Sequence, residues 1–238
     1  MLRGLFGRKA PSKETVSNDT EKNHPPVKSI SEMKNLEEIQ QYYDMVCKIE
    51  DPAVRARELQ PFAEAGFHQA MLKLALANEA CGKTEEVFTW LKKAAEAGNY
   101  AAYYEWGIRT LQGAAELAKQ QGYTDESLLR AGLSQLCDAA GGGVQKAVQA
   151  LTAYNHAERE EAAQVIQPVL DENLKEWAQI LDENDTLAHA QYTKGLWYFY
   201  GVGYAQDLDK AREWLQKAAA QGHQDARDLL ENPLLAEF

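Results

Sequence analysis

Residues 217–226 read Lys-Ala-Ala-Ala-Gln-Gly-His-Gln-Asp-Ala, and the order of small residues in this stretch decides the fold. Paired alanines let the last turn of a helix lie close to a neighbour. A glycine then takes the left-handed conformation that ends the helix, and the alanine four residues on packs the next helix against the first. The stretch is a helix-to-helix corner.

The same cassette recurs upstream. Lys93-Ala94-Ala95-Glu96-Ala97-Gly98-Asn99-Tyr100-Ala101-Ala102 repeats it at the same offsets, and Asp138-Ala139-Ala140-Gly141-Gly142-Gly143-Val144-Gln145-Lys146-Ala147 repeats it again. Phe62-Ala63-Glu64-Ala65-Gly66-Phe67-His68-Gln69-Ala70 is a degenerate copy, and Leu187-Ala188-His189-Ala190 supplies a corner near Thr186 without its glycine. Self-similarity at this period is the signature of stacked helix pairs. The expected fold is all-α, a right-handed α-solenoid of about five helix-turn-helix repeats. A leading hairpin is expected at 31–65, repeats at about 66–98, 98–143, 143–186 and 186–222, and a capping helix at 223–238.

A second marker falls between corners. Ala190 leads to Gly195 and Tyr200-Gly201-Val202-Gly203, while Ala102 leads to Gly107 and Leu111-Gln112-Gly113. The inner glycine admits a neighbouring helix, and the later one is expected to turn the chain into the second helix of the pair. Trp90 and Trp214 stand the same distance before Gly98 and Gly222, which marks them as anchors between helical layers.

Composition agrees with a helical chain: 45% hydrophobic, 26% charged, with seven prolines. The net charge is −11. Residues 1–30 are basic, with Arg3, Arg8, Lys9, Lys13, Lys22 and Lys28 against Glu14, Asp19 and Glu21, so the body beyond them is more acidic still. An acidic body repels phosphate backbones and suits a basic protein surface, so no nucleic acid is expected as partner. Residues 10–30 have the composition of a linker, and Ser31 is placed as the cap of the first helix, followed by Met33, Leu36 and Ile39 at helical spacing. Residues 1–30 as a whole are expected to be a flexible basic tail; the alternative for its leading peptide is a short apolar foot of Leu2, Leu5 and Phe6 suited to weak contact with a membrane or a partner. No apolar run is long enough to span a membrane, and the expected location is cytoplasmic.

Chemistry is scarce. Cys47, Cys81 and Cys137 are far apart and form no Cys-x-x-Cys pair, so neither a disulfide framework nor a zinc knuckle is indicated. No nucleophile elbow, phosphate-binding lysine motif or His-Glu-x-x-His pair occurs. Gly141-Gly142-Gly143 could offer free amides to a phosphate, although the corner already accounts for Gly143. His156 and Glu160 share a helical face but lack a third ligand. No cofactor, metal or catalytic residue is assigned, and the chain is read as a non-enzyme. His68, His189 and His223 fall at corners, where rings cap helices or sense pH.

The stretch from Ala190 to Gly203, continued by Asp207, Lys210-Ala211, Trp214 and Lys217-Ala218-Ala219, resembles a Sel-one-like repeat, a relative of the tetratricopeptide repeat. Residues 68–102 resemble a shortened copy and 102–147 a lengthened one, while 147–186 departs from the pattern, with Thr152 in place of glycine. Lys194 stands where the family has leucine. The irregular third repeat, with Pro168 breaking or kinking a helix from about Glu158 to Leu181, is a candidate site of specialisation.

The resemblance implies that first helices line a concave, partner-holding groove. Carried onto Gly107 and Gly195, its geometry points Tyr104, Arg109 and Gln112, and Tyr192, Phe199 and Tyr200, toward that groove. It also implies a bacterial interaction protein, an adaptor or scaffold, with toxin neutralisation by an immunity protein as a sharper version. The alternative is an enzyme or a metal- or ligand-binding protein with its site in the third repeat.

Overall fold

The computed structural model describes residues 35–122, 125–155 and 160–235; the expected cap at Ser31, the apolar foot and His156 lie outside them. Eleven helices follow in order: α1 Leu36–Val46, α2 Pro52–Glu64, α3 His68–Ala80, α4 Thr84–Glu96, α5 Tyr100–Gln121, α6 Glu126–Gly141, α7 Gln145–Asn155, α8 Glu160–Glu183, α9 Ala188–Tyr200, α10 Leu208–Ala220 and α11 Gln224–Leu230, with a last 3₁₀ turn at Pro233–Leu235. No strand occurs among the described residues. From α1 to α7 and from α8 to α11 each helix packs on the next in sequence, and contacts between α6 and α8 and between α7 and α9 join equivalent helices of successive pairs. This is the expected all-α solenoid.

Helix starts follow local chemistry. Asn35, Asp51, Asn99, Asp125 and Asp207 each turn a side-chain oxygen onto amides of the first turn, satisfying donors the helix cannot. The corners close in one way. Gly66, Gly98, Gly143 and Gly222 all sit at positive φ, 95°, 88°, 78° and 94°. In each, the amide after the glycine reaches back to a carbonyl in the last turn, as in Asn99 to Ala94 and His223 to Ala218, both near 3 Å. The following alanines Ala70, Ala102, Ala147 and Ala226 are fully buried, as that close packing requires.

Three expectations are corrected. Gly113 does not turn the chain: α5 continues through Ala114-Ala115-Glu116-Leu117-Ala118, strong helix formers, to a left-handed Gly122. Pro168 does not break α8, which runs unbroken across it with the proline on its exposed side. Trp90 and Trp214 are only half-buried and share their faces with Lys93, Lys194 and Lys217. The tryptophan that fills the interior is Trp197.

The core has two parts. One runs from Tyr43 on α1 to Ala102, the other from Leu111 to Leu235, and Tyr103 on α5 packs against both.

Candidate interaction surface

Helix α9 buries nine of its 13 residues, and α7, α8 and α10 all pack on it. Trp197 is wholly buried, and its indole N–H donates to the Ala140 carbonyl at 3.0 Å, tying α9 to the end of α6. Lys194, where leucine was expected, is 5% exposed; its ammonium meets Asp182 at 2.7 Å and lies 4.0 Å from the Trp214 ring centre. A lysine stem covers the apolar neighbourhood while its charge is neutralised at the rim.

Enclosure alters the reading of the expected groove residues. Tyr192 and Phe199 are 3% and 6% exposed, so they are interior supports and not open contact groups. Tyr192 stacks on His223 at 4.4 Å, and burial pushes its hydroxyl up to about 12. Tyr200 is half-buried, and its hydroxyl accepts from Gln145 and Gln149 of α7 at 3.2 and 2.6 Å. On the other repeat Tyr104 is half-buried against the core, while Gln112 is exposed. Arg109 is committed within the fold: it grips Glu79 of α3 through two bonds, at 2.9 and 2.6 Å, and Glu105 one turn back. The guanidinium holds the Glu79 carboxyl below its ordinary range. That clamp leaves Arg109 less able to anchor a partner than its residue type suggested.

What opens to solvent beside α9 is a depression of about 410 Å³, lined by Gln145 of α7 and by Asp225, Asp228, Leu229, Glu231 and Asn232 of α11 and its end. Asp225, Asp228 and Glu231 recur every three residues, which places three carboxylates along one side of a short helix. Burial first, and then the charges of Asp225 and Tyr200, raise the Tyr192 hydroxyl. Sequence reading found the tyrosines but not the rim; the three-residue spacing of acids after the last corner was the available signal. The Gly141-Gly142 pair offers no phosphate cradle, since the rings of Trp177 and Tyr100 fill the space beside it. Among the described residues no group of three His, Cys, Asp or Glu is placed to hold a metal, and no helix is long and apolar enough to cross a membrane.

The corner histidines do not cap their own helices. His189 Nε2 bonds the Gly142 carbonyl at 3.0 Å and its Nδ1 faces His223 Nε2 at 3.4 Å, so the rings link the ends of α6, α9 and α10. With Nε2 of His189 donating to the carbonyl, Nδ1 must accept from His223, and both rings are neutral in this arrangement. A proton added to His223 disrupts it, because it places an N–H at Nδ1, a buried atom with no hydrogen-bond partner among the described residues. Burial first and then His189 lower the His223 pKa, against a smaller opposing effect of Asp225. A depressed histidine pKa means stability that is full above the unfolded value, about 6.5, and is lost as pH falls through the folded value. The urea midpoint of the wild type should therefore drop on going from neutral to mildly acid pH. His223→Phe, which can keep the stack on Tyr192, should flatten that slope.

The family model of the Sel1 repeat matches residues 88–99 and 188–223. No curated protein matches the chain. Among solved structures, a Sel1 repeat protein from Oxalobacter formigenes matches at 20% identity and a TM-score of 0.36, over 85% of this chain and 88% of that one. The longer matched segment spans α9, its loop, α10 and the corner glycine, and carries both rings of the histidine link. Over those residues the chain is similar to the Sel1 repeat.

Proposed function

We propose that this protein is a non-enzymatic interaction module that holds a cationic segment of a protein partner against the acidic face beside α9. The observation carrying this reading is the depression itself, where Asp225, Asp228 and Glu231 line one side and Gln145, which bonds the Tyr200 hydroxyl, lines the other. Carboxylates on an ordered helix attract Lys and Arg side chains and speed encounter, and the tyrosines supply rigid support at low entropic cost. An adaptor or scaffold role follows for a chain of this fold, with toxin neutralisation as the narrower form, in which a basic face of a toxin is covered.

The test is a charge reversal that leaves the core intact. Asp225→Lys/Asp228→Lys should weaken binding of a Lys/Arg-rich peptide at least about tenfold, and raising the salt should weaken the wild type in the same direction. Gln112→Lys, far from the depression on α5, should not. Equal affinity of wild type and double variant would sink the proposal. Neutralisation of a toxin would be read separately, as rescue of growth that the double variant fails to give.

A further inference from the structure

The acidic depression has two walls that are distant in sequence: Gln145 at the start of α7, and the residues from Asp225 to Asn232 along α11 and its end. One chain of contacts joins the backbone just ahead of both. The Gly142 carbonyl, close before Gln145 in the chain, meets His189 Nε2 at 3.0 Å, and His189 Nδ1 meets His223 Nε2 at 3.4 Å, close before Asp225. His223 is the N-cap of α11 but makes no side-chain cap bond, so its ring reaches across the corner instead of closing its own helix. Tyr192 of α9 holds that ring by stacking on it at 4.4 Å. Helix α11 is seven residues long, with Ala226 and Leu229 buried, so its position is sensitive to the contacts at its start.

We propose that the Gly142–His189–His223 bridge is an acid-sensitive latch between the two walls, closed at neutral pH and released in mild acid, so that a bound cationic segment is let go. The proposal rests on the acidic face as the binding site and adds its regulation. In the closed bridge His189 donates from Nε2 to the carbonyl and accepts at Nδ1 from the Nε2–H of His223. The remaining His223 nitrogen, Nδ1, is buried without a hydrogen-bond partner among the described residues. A charged ring with an orphaned N–H is far costlier there than a neutral one, so the ring turns out of its site when it takes up a proton. His189 from α9 opposes a charge on His223, Asp225 of α11 favours one, and burial outweighs Asp225. The other neighbours do not change this balance: Tyr192 stacks as an uncharged ring, α10 ends beside it in Gln221 and Gly222, and Arg227 of α11 is turned to the Ala219 carbonyl. Positive charge beside Asp225 also competes directly with a cationic ligand, so both effects act in one direction.

The test is the affinity for a histidine-free Lys/Arg-rich peptide at about pH 7.5 and about pH 5.5, both above the ordinary carboxylate range, at fixed ionic strength. The wild type should bind about tenfold more weakly at the lower pH. His223→Gln offers an amide N–H in place of Nε2–H and has no titrating ring; it should match the wild type at the higher pH and lose most of the fall. His223→Phe keeps the ring on Tyr192 but not the bridge, and should bind weakly at both. Amide exchange of residues 225–231 in the free wild type, corrected for its intrinsic pH dependence, should quicken at the lower pH and stay unchanged in His223→Gln. An equal fall in wild type and His223→Gln, or exchange in wild-type α11 that does not respond to pH, would overturn the latch. Absence of peptide binding at both pH values would instead refute the acidic-face reading, and exchange in α11 would still decide whether the bridge is acid-sensitive.

Discussion

Replacing Trp197 with alanine should destabilise the fold by about 3–5 kcal/mol, the usual cost of removing a buried tryptophan. Trp197 is 0% exposed in the core between α6, α9 and α10, and its ring packs near Tyr204 at 5.9 Å between centroids. Truncation leaves a cavity that the helices on either side cannot close, because the corner glycines and alanines already fix their approach. It also removes one donor from the Ala140 carbonyl, at the last turn of α6, which keeps the Gly143 amide at 3.0 Å. Urea unfolding should show a lower midpoint with a similar slope if the loss is purely of stability. By contrast Trp90→Ala and Trp214→Ala, at half-exposed sites, should each cost clearly less. An equal cost at all three positions would contradict the packing hierarchy described here.

That hierarchy shows where sequence reading succeeded and where it failed. The corners were legible because each is a local event: glycine at positive φ, with alanines on either side, leaves little freedom in what the backbone does. The histidine positions were legible for the same reason, but their role was not. Capping of one's own helix is local, whereas the bond from His189 to Gly142 spans 47 residues and exists only because α9 returns to the end of α6. Periodicity shows which side of a helix meets its partner; it says little about whether a further layer covers the other side. Helix α9 is covered on both, so Tyr192 and Phe199, read as exposed contact groups, are interior, and Trp197, passed over within the repeat pattern, is the central anchor. Arg109 was misjudged similarly. Its residue type suits an interface, yet Glu79 and Glu105 claim all of its directed hydrogen bonds, and Glu79 lies 30 residues away. The acidic rim is another product of assembly, since Gln145 and Asp225 share it only after α7 and α11 have been brought to either side of α9.

Two glycines of the repeat markers should respond in opposite ways to substitution. Gly113 lies on the exposed side of α5, inside a helix, with no atom within 4 Å of where a Cβ would stand. Gly113→Ala should therefore stabilise by about 0.5–1 kcal/mol, through a less flexible unfolded chain and a better helix former. Gly195 lies inside α9 where α10 crosses, and a Cβ there would meet Leu215 Cγ at 2.6 Å and the Leu215 backbone nitrogen at 3.1 Å. The leucine side chain can move, but the backbone behind it cannot without parting the two helices. Gly195→Ala should cost about 1–3 kcal/mol by overpacking, and Gly195→Leu should fall at or beyond the upper end of that range. Thermal or urea denaturation of the three variants decides the matter. If Gly195→Ala stabilised as Gly113→Ala does, α9 and α10 would not be in the close contact that Gly195 and Leu215 make.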